Sequence, residues 1–300
     1  MKTLLRLLLI TAFCFPSLAD AQPAGDRIAR MRGASRQDRP VRVPAGTQSF
    51  LNLAYGPDPA QRFDLWIPER ARNAPVVFYV HGGGWANGGK DNPGIETKLA
   101  YWIPRGYAVV STNYRWVPSV NPIMQAEDVA RALAKVQRNA RKWHVDPSRV
   151  VLMGHSAGAH LVALLGANPR MLTDAGARRP VGIVSLDAGA LNVPKLMSQR
   201  RVPPLYTNAF GSDPRFWARS SPLDQLGRDA VPMLIVCSST RHFPTAPCVE
   251  GREFAGKAAR LGVPMRMLPQ AKSHGEINHD LGEPSAYTNV VSQVIDRWVK

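Results

Sequence analysis

"RVVLMGHSAGAHLVALLG", residues 149–166, carries three signals in unbroken order. An apolar run with adjacent valines ends at Met153, a glycine-flanked serine follows in Gly154-His155-Ser156-Ala157-Gly158, and an alanine- and leucine-rich stretch of helical composition completes it. Strand, sharp turn and helix in that order are the context of the G-x-S-x-G nucleophile elbow. The glycines beside Ser156 permit a strained turn and close packing, so its hydroxyl is expected to project from the top of a sheet.

On both sides of the elbow the chain alternates short apolar runs with helical stretches. "APVVFYV" (74–80), "YAVVSTNY" (107–114), "VGIVSLD" (181–187), "VPMLIVCS" (231–238) and "VPMRMLP" (263–269) are nearly continuous in apolar character, as strands covered on both faces must be. Helices are expected over 96–103, 123–143, 156–166, 249–261 and 285–299, and "FLNLAY" with "QRFDLWIP" reads as an antiparallel pair at the sheet edge. The order predicts an α/β fold, a mostly parallel central sheet with helices on both faces. Residues 190–228, rich in proline and carrying Tyr206, Phe210, Phe216 and Trp217, are too long for an ordinary connection. They are read as a lid-like insertion between the sixth and seventh strands.

"HGGGW", His81 to Trp85, follows the strand "PVVFYV" directly. Successive glycines bring backbone N–H groups against a developing oxyanion with no side chain in the way, and one such donor is worth on the order of 2.7 to 4 kcal/mol in acyl transfer. Gly83 and Gly84 are therefore expected to form the oxyanion hole, with Ala157, the residue after the nucleophile, as a third donor. With "NYRW" (113–116) and "DPSRVVLMGHSAG", these motifs resemble the α/β-hydrolase superfamily, specifically its esterase branch with the H-G-G-G motif, which includes hormone-sensitive-lipase-like and feruloyl- or acetyl-esterase-like enzymes. The similarity spans roughly residues 50–300. It implies hydrolysis of a small-molecule carboxylic ester without a cofactor, and it does not name the ester.

A serine hydroxyl needs an imidazole to take its proton. His81, His144, His155 and His160 sit in the glycine motif, a turn, the elbow and a helix, and are read as structural. His274 in "QAKSHGEINHD" follows the last strand, where the superfamily places its base, in a loop that Gly275 allows to bend; His279 is second choice. Two histidines five apart with no third ligand nearby do not make a zinc site, and no metal is expected.

The acid is the irregular part. The superfamily's usual place for it, after "VPMLIVCS", holds Arg241 and His242, and "CSSTRHFPTAPC" (237–248) contains no carboxylate. Asp187 ends the preceding strand on the same rim as Ser156 and is favoured, with Glu250 and a water-supported Ser-His dyad as alternatives. Glu276 would have to double back on its own loop to serve. Cys237 and Cys248 are expected to form a disulfide bracing the rim beside His274.

That expectation rests on export. Residues 1–21 have Lys2 and Arg6, an apolar run over 7–15 and Ala19-Asp20-Ala21, the pattern of a cleaved secretory signal. Residues 22–46 read as a basic, flexible leader before a hydrolase domain over 47–300. The formal charge of +16 becomes +15 once Lys2, Arg6 and Asp20 are removed. Solubility is the favoured reason for it, weak contact with an anionic envelope surface the alternative. No nucleic-acid motif is present, and the oligomeric state is not encoded in any pattern. Two rival functions remain: an amidase or arylformamidase using the same groups, and a non-catalytic binding protein that has lost the acid.

Overall fold

The computed structural model describes residues 41–300; the expected signal segment and the expected leader up to residue 40 lie outside the described residues. Strands β1 (Thr47–Ala54), β2 (Arg62–Pro68), β3 (Ala74–Val80), β4 (Ala108–Thr112), β5 (Val145–His155), β6 (Gly182–Leu186), β7 (Met233–Ser238) and β8 (Met265–Gln270) form one sheet. Their order is β1-β2-β4-β3-β5-β6-β7-β8. β1 and β2 pair antiparallel at the edge, β2 meets β4 antiparallel, and every pairing from β4 to β8 is parallel.

The apolar runs explain this arrangement. Alternate residues of β3 enter two separate cores, Val76, Phe78 and Val80 on one face and Val77 and Tyr79 on the other. Helices α1 (Gly94–Trp102) and α11 (Ala286–Val299) cover the second face through Ile95, Leu99, Trp102, Val291 and Ile295. The first face is covered by α2 (Pro122–Arg138), α3 (Ala157–Ala167) and α9 (Pro247–Leu261), with Val129, Leu133, Leu161 and Phe254 in its core. A short α4 (Arg170–Asp174) follows α3. α2 begins where Asn121 accepts a hydrogen bond from the Met124 amide and Pro122 supplies a first turn that needs no N–H. The helix expected over 123–143 stops at Arg138: the following turn ends at His144, whose φ is +51°, and leads directly into β5.

Between β6 and β7 lie four short helices, α5 (Val193–Met197), α6 (Pro204–Phe210), α7 (Pro214–Ser220) and α8 (Pro222–Gln225). Pro194, Pro204, Pro214 and Pro222 start these helices within their first two positions, and Pro203 stands at the N-cap before Pro204. α10 (His274–His279) follows β8. A parallel sheet places the carboxyl ends of its strands on one edge, and there the chain leaves β3 for the glycine motif, β5 for Ser156, β6 for Asp187, β7 for Arg241 and β8 for His274. No helix among the described residues is long and apolar enough to cross a membrane.

Candidate active site

Ser156 occupies the turn between β5 and α3 with φ 56° and ψ −116°, a sparsely populated conformation costing on the order of 1 to 3 kcal/mol. Hydrogen bonds hold it there: the Ser156 amide donates to Leu186 O at 3.0 Å, and the Gly189 amide donates to Ser156 O at 2.8 Å. Both flanking glycines are required by contact. A Cβ on Gly154 would lie 2.3 Å from Gly158 O, and one on Gly158 would lie 2.3 Å from Val80 O.

The glycine motif folds back over this turn. Gly83 and Gly84 have φ +128° and +59°, values that a side chain disfavours. Within the described residues neither amide donates a hydrogen bond, and the Ala157 amide opens α3, where the helix offers it no acceptor. Gly82, which sequence reasoning passed over, makes the close approach: a Cβ there would sit 2.9 Å from Ser156 Cβ. Leu205 of the insertion lies over Gly84.

His274 is the first residue of α10, not part of a loop. The hydrogen-bonding ability of Ser273 and Glu276 decides this. Ser273 Oγ accepts from the Glu276 amide at 3.3 Å while Glu276 Oε2 accepts from the Ser273 amide at 2.7 Å, a capping box that starts a helix. Glu276 thus does turn back, onto its own backbone. The imidazole Nδ1 of His274 lies 2.6 Å from Oδ2 of Asp187, whose side chain is fully buried. Asp187 Oδ1 accepts the Ser238 amide at 2.7 Å. Arg241 Nε stands 3.0 Å from Oδ2, and its Nη2 donates to Ala188 O at 2.9 Å. Burial by itself would raise the Asp187 pKa, but the hydrogen bond from His274, the Arg241 charge and the Ser238 amide outweigh it and hold the carboxyl below its usual value.

The other carboxylates are committed elsewhere. Glu250 is buried, its Oε2 accepts the Leu191 amide at 2.8 Å, and burial pushes its pKa up. It anchors the start of the insertion, which corrects the expectation that it could orient the imidazole. Glu253 pairs with Lys195, and Asp280 with Lys272 at 2.6 Å. The His274 and His155 rings are 4.5 Å apart, which sets the imidazole beside the elbow. The Ser156 hydroxyl and the imidazole are not hydrogen-bonded to each other.

Residues 63–179 match the BD-FAE family model. Esterase LipC of Mycobacterium tuberculosis is 32% identical over 151 residues, 50% of this chain and 36% of the relative. Kynurenine formamidase of Danio rerio is 28% identical over 151 residues, 50% of each chain. A truncated form of a carbohydrate esterase from gut microbiota superposes with a TM-score of 0.70 at 19% identity, covering 86% of this chain and 99% of that one. The chain has the α/β-hydrolase fold and is similar to esterases that share it. It spans about a third to a half of the length of these two curated relatives.

In this chain a guanidinium stands after β7, where the sequence resemblance places the acid, and the carboxylate it pairs with follows β6. The loop that carries Arg241 is closed by a Cys237–Cys248 disulfide. Two aromatic residues of the insertion point inward: Trp85 is buried among Tyr206, Phe210 and His160, with ring centroids 4.9 to 5.6 Å away, while Phe216 and Trp217 are half-buried.

Three histidines of the chain carry structure. His155 donates from Nε2 to His274 O at 2.9 Å, and burial first, then the neighbouring His274 charge, lowers its pKa to about 3. His81 stacks on Tyr114 and donates to Gly82 O at 2.6 Å. His160 accepts from Trp85 Nε1 at 3.2 Å and donates to Ser220 O at 2.8 Å. Burial lowers both to about 4 and keeps them neutral.

Proposed function

We propose that the chain is a serine carboxylesterase acting on a small-molecule ester through an acyl-enzyme. The observation that carries this is the His274–Asp187 pair at 2.6 Å on the same sheet edge as a strained, glycine-flanked Ser156. His274 takes the Ser156 proton as Oγ attacks the ester carbonyl. The amides of Gly83, Gly84 and Ala157 receive the oxyanion, and the imidazolium then protonates the departing alcohol. Water, deprotonated by the same imidazole, releases the acid. The Ser156–His274 hydrogen bond forms with substrate in place, as catalytic contacts often tighten only then. Asp187 holds Nδ1–H and stabilises the cation between steps.

Several sequence relatives are esterases by name, and that supports the ester over the amide. The second reading, an amidase or arylformamidase, is favoured by the similarity to kynurenine formamidase and uses the same groups. A panel of 4-nitrophenyl acyl esters and aryl formamides separates the two. Faster turnover of the esters, abolished in Ser156→Ala, is the expected result; turnover confined to formamides would replace the first reading by the second, and none on either class would favour a binding protein. Residues 1–21 further support export of the mature chain from Gln22, in an oxidising compartment where Cys237 and Cys248 pair. N-terminal mapping of the exported protein checks that boundary.

A further inference from the structure

The side chain of Lys98 is fully buried in α1. Its Nζ donates to Gly94 O at 2.9 Å, to Asn278 O at 2.8 Å and to Asn278 Oδ1 at 3.0 Å. All three acceptors are neutral. The ammonium also stands 5.0 Å from the centre of the Tyr79 ring, and Tyr79 Oη donates to the same Asn278 Oδ1 at 2.9 Å. Burial alone lowers its pKa to about 7.

An ammonium placed in a core without a carboxylate is expensive, so its placement has to be explained by what it holds. Two of its three bonds fall on one residue, Asn278, in the last turn of α10, the six-residue helix that begins with His274. A helix so short does not sustain itself. At its start it is fixed by the Ser273–Glu276 capping box. At its end the carbonyls lack intrahelical donors and favour a cation, and Lys98 supplies both donor and charge from another helix. Packing agrees: a Cβ on Gly94 would lie 2.3 Å from Asn278 Nδ2, and Thr97 Oγ1 donates to Leu281 O at 3.0 Å. α1 is also the helix that follows the glycine motif in the chain.

We propose that Lys98 is a positioning residue, an ammonium clamp that fixes α10 to α1 and thereby sets where the His274 imidazole stands relative to Ser156 and the oxyanion loop. The proposal rests on the esterase reading for its kinetic consequence, but not for its structural one. A displacement of about 1 Å at a catalytic group costs on the order of 100-fold, so the loss should fall on kcat and spare KM.

The test is Lys98→Met in the full mature chain, with 4-nitrophenyl acetate as probe and circular dichroism as a control on folding. A second readout is the far-downfield proton resonance of the His274 Nδ1–H that bonds Asp187. The variant is expected to lose about 10- to 100-fold in kcat with KM within about twofold, and to shift or broaden that resonance. Asn278→Ala, which removes one of the clamp's three acceptors, should give a smaller change in the same direction and serves if Lys98→Met does not fold. A folded variant with wild-type kcat and an unmoved resonance overturns the clamp. If the wild type hydrolyses no ester, the esterase reading fails, and the resonance still decides the positioning role.

Discussion

Asp187 is a buried carboxylate with three partners on three different segments: the His274 imidazole, the Ser238 amide and the Arg241 guanidinium. Each favours the anion, and the anion in turn favours the imidazole tautomer with Nδ1 protonated, which in the proposed mechanism leaves Nε2 to Ser156. Asp187→Asn should lower kcat by up to ~10⁴-fold while the fold survives, because the wrong tautomer is then held in place; steady-state kinetics on a 4-nitrophenyl ester measure it. The sign of the pH effect follows from the lowered pKa. The stability that Asp187 contributes is complete above the unfolded-state value, about 3.9, and is lost as pH falls through the lower folded-state value. Urea unfolding of the wild type and of Asp187→Asn should therefore converge as the pH is taken below about 4. Ser156 was legible in the sequence because the elbow is local, and so was Asp187 by its place at a strand end. The Arg241 contact was not, since it joins residues 54 apart whose meeting depends on the register of β6 against β7.

At the scale of elements, the loop after β7 and the short α10 do the work of orientation. The disulfide closes a loop of sequence separation 11, which corresponds to about 2 to 3 kcal/mol of chain entropy, and within that loop Arg241 reaches Asp187. Arg241→Gln should cost on the order of 3 kcal/mol, the lower end of the span for breaking a buried pair, because the arginine keeps some contact with water. Urea unfolding reads that loss. Cys248→Ser should lose stability through the same loop and should respond less than the wild type to a reducing agent. The strands were readable because two-sided burial leaves an apolar run. α10 was missed because six residues carry no helical periodicity, although its Ser273–Glu276 capping box is a signal the sequence does contain. Lys98 itself carries no sequence signal; a lysine in a helix reads as a surface residue until its burial is seen.

For the whole molecule, the parallel sheet brings the ends of β3, β5, β6, β7 and β8 to one edge, and every residue assigned a chemical role lies there. The insertion between β6 and β7 packs Tyr206 and Phe210 on Trp85 and places Leu205 over Gly84, so the glycine loop is supported from above as well as from the sheet. The alternation of strands and helices in the sequence was sufficient for this architecture. What it could not supply was the partner of each buried charge, because those partners come from distant strands and from the depth of the core. The central claim is that folding turns Ser156 into a nucleophile through His274. The most direct measurement is labelling with a fluorophosphonate, mapped by mass spectrometry, in the wild type and in His274→Ala. A label on Ser156 that disappears in the variant is the expected result; a wild-type serine that stays unlabelled, or one labelled equally well without the imidazole, would contradict it.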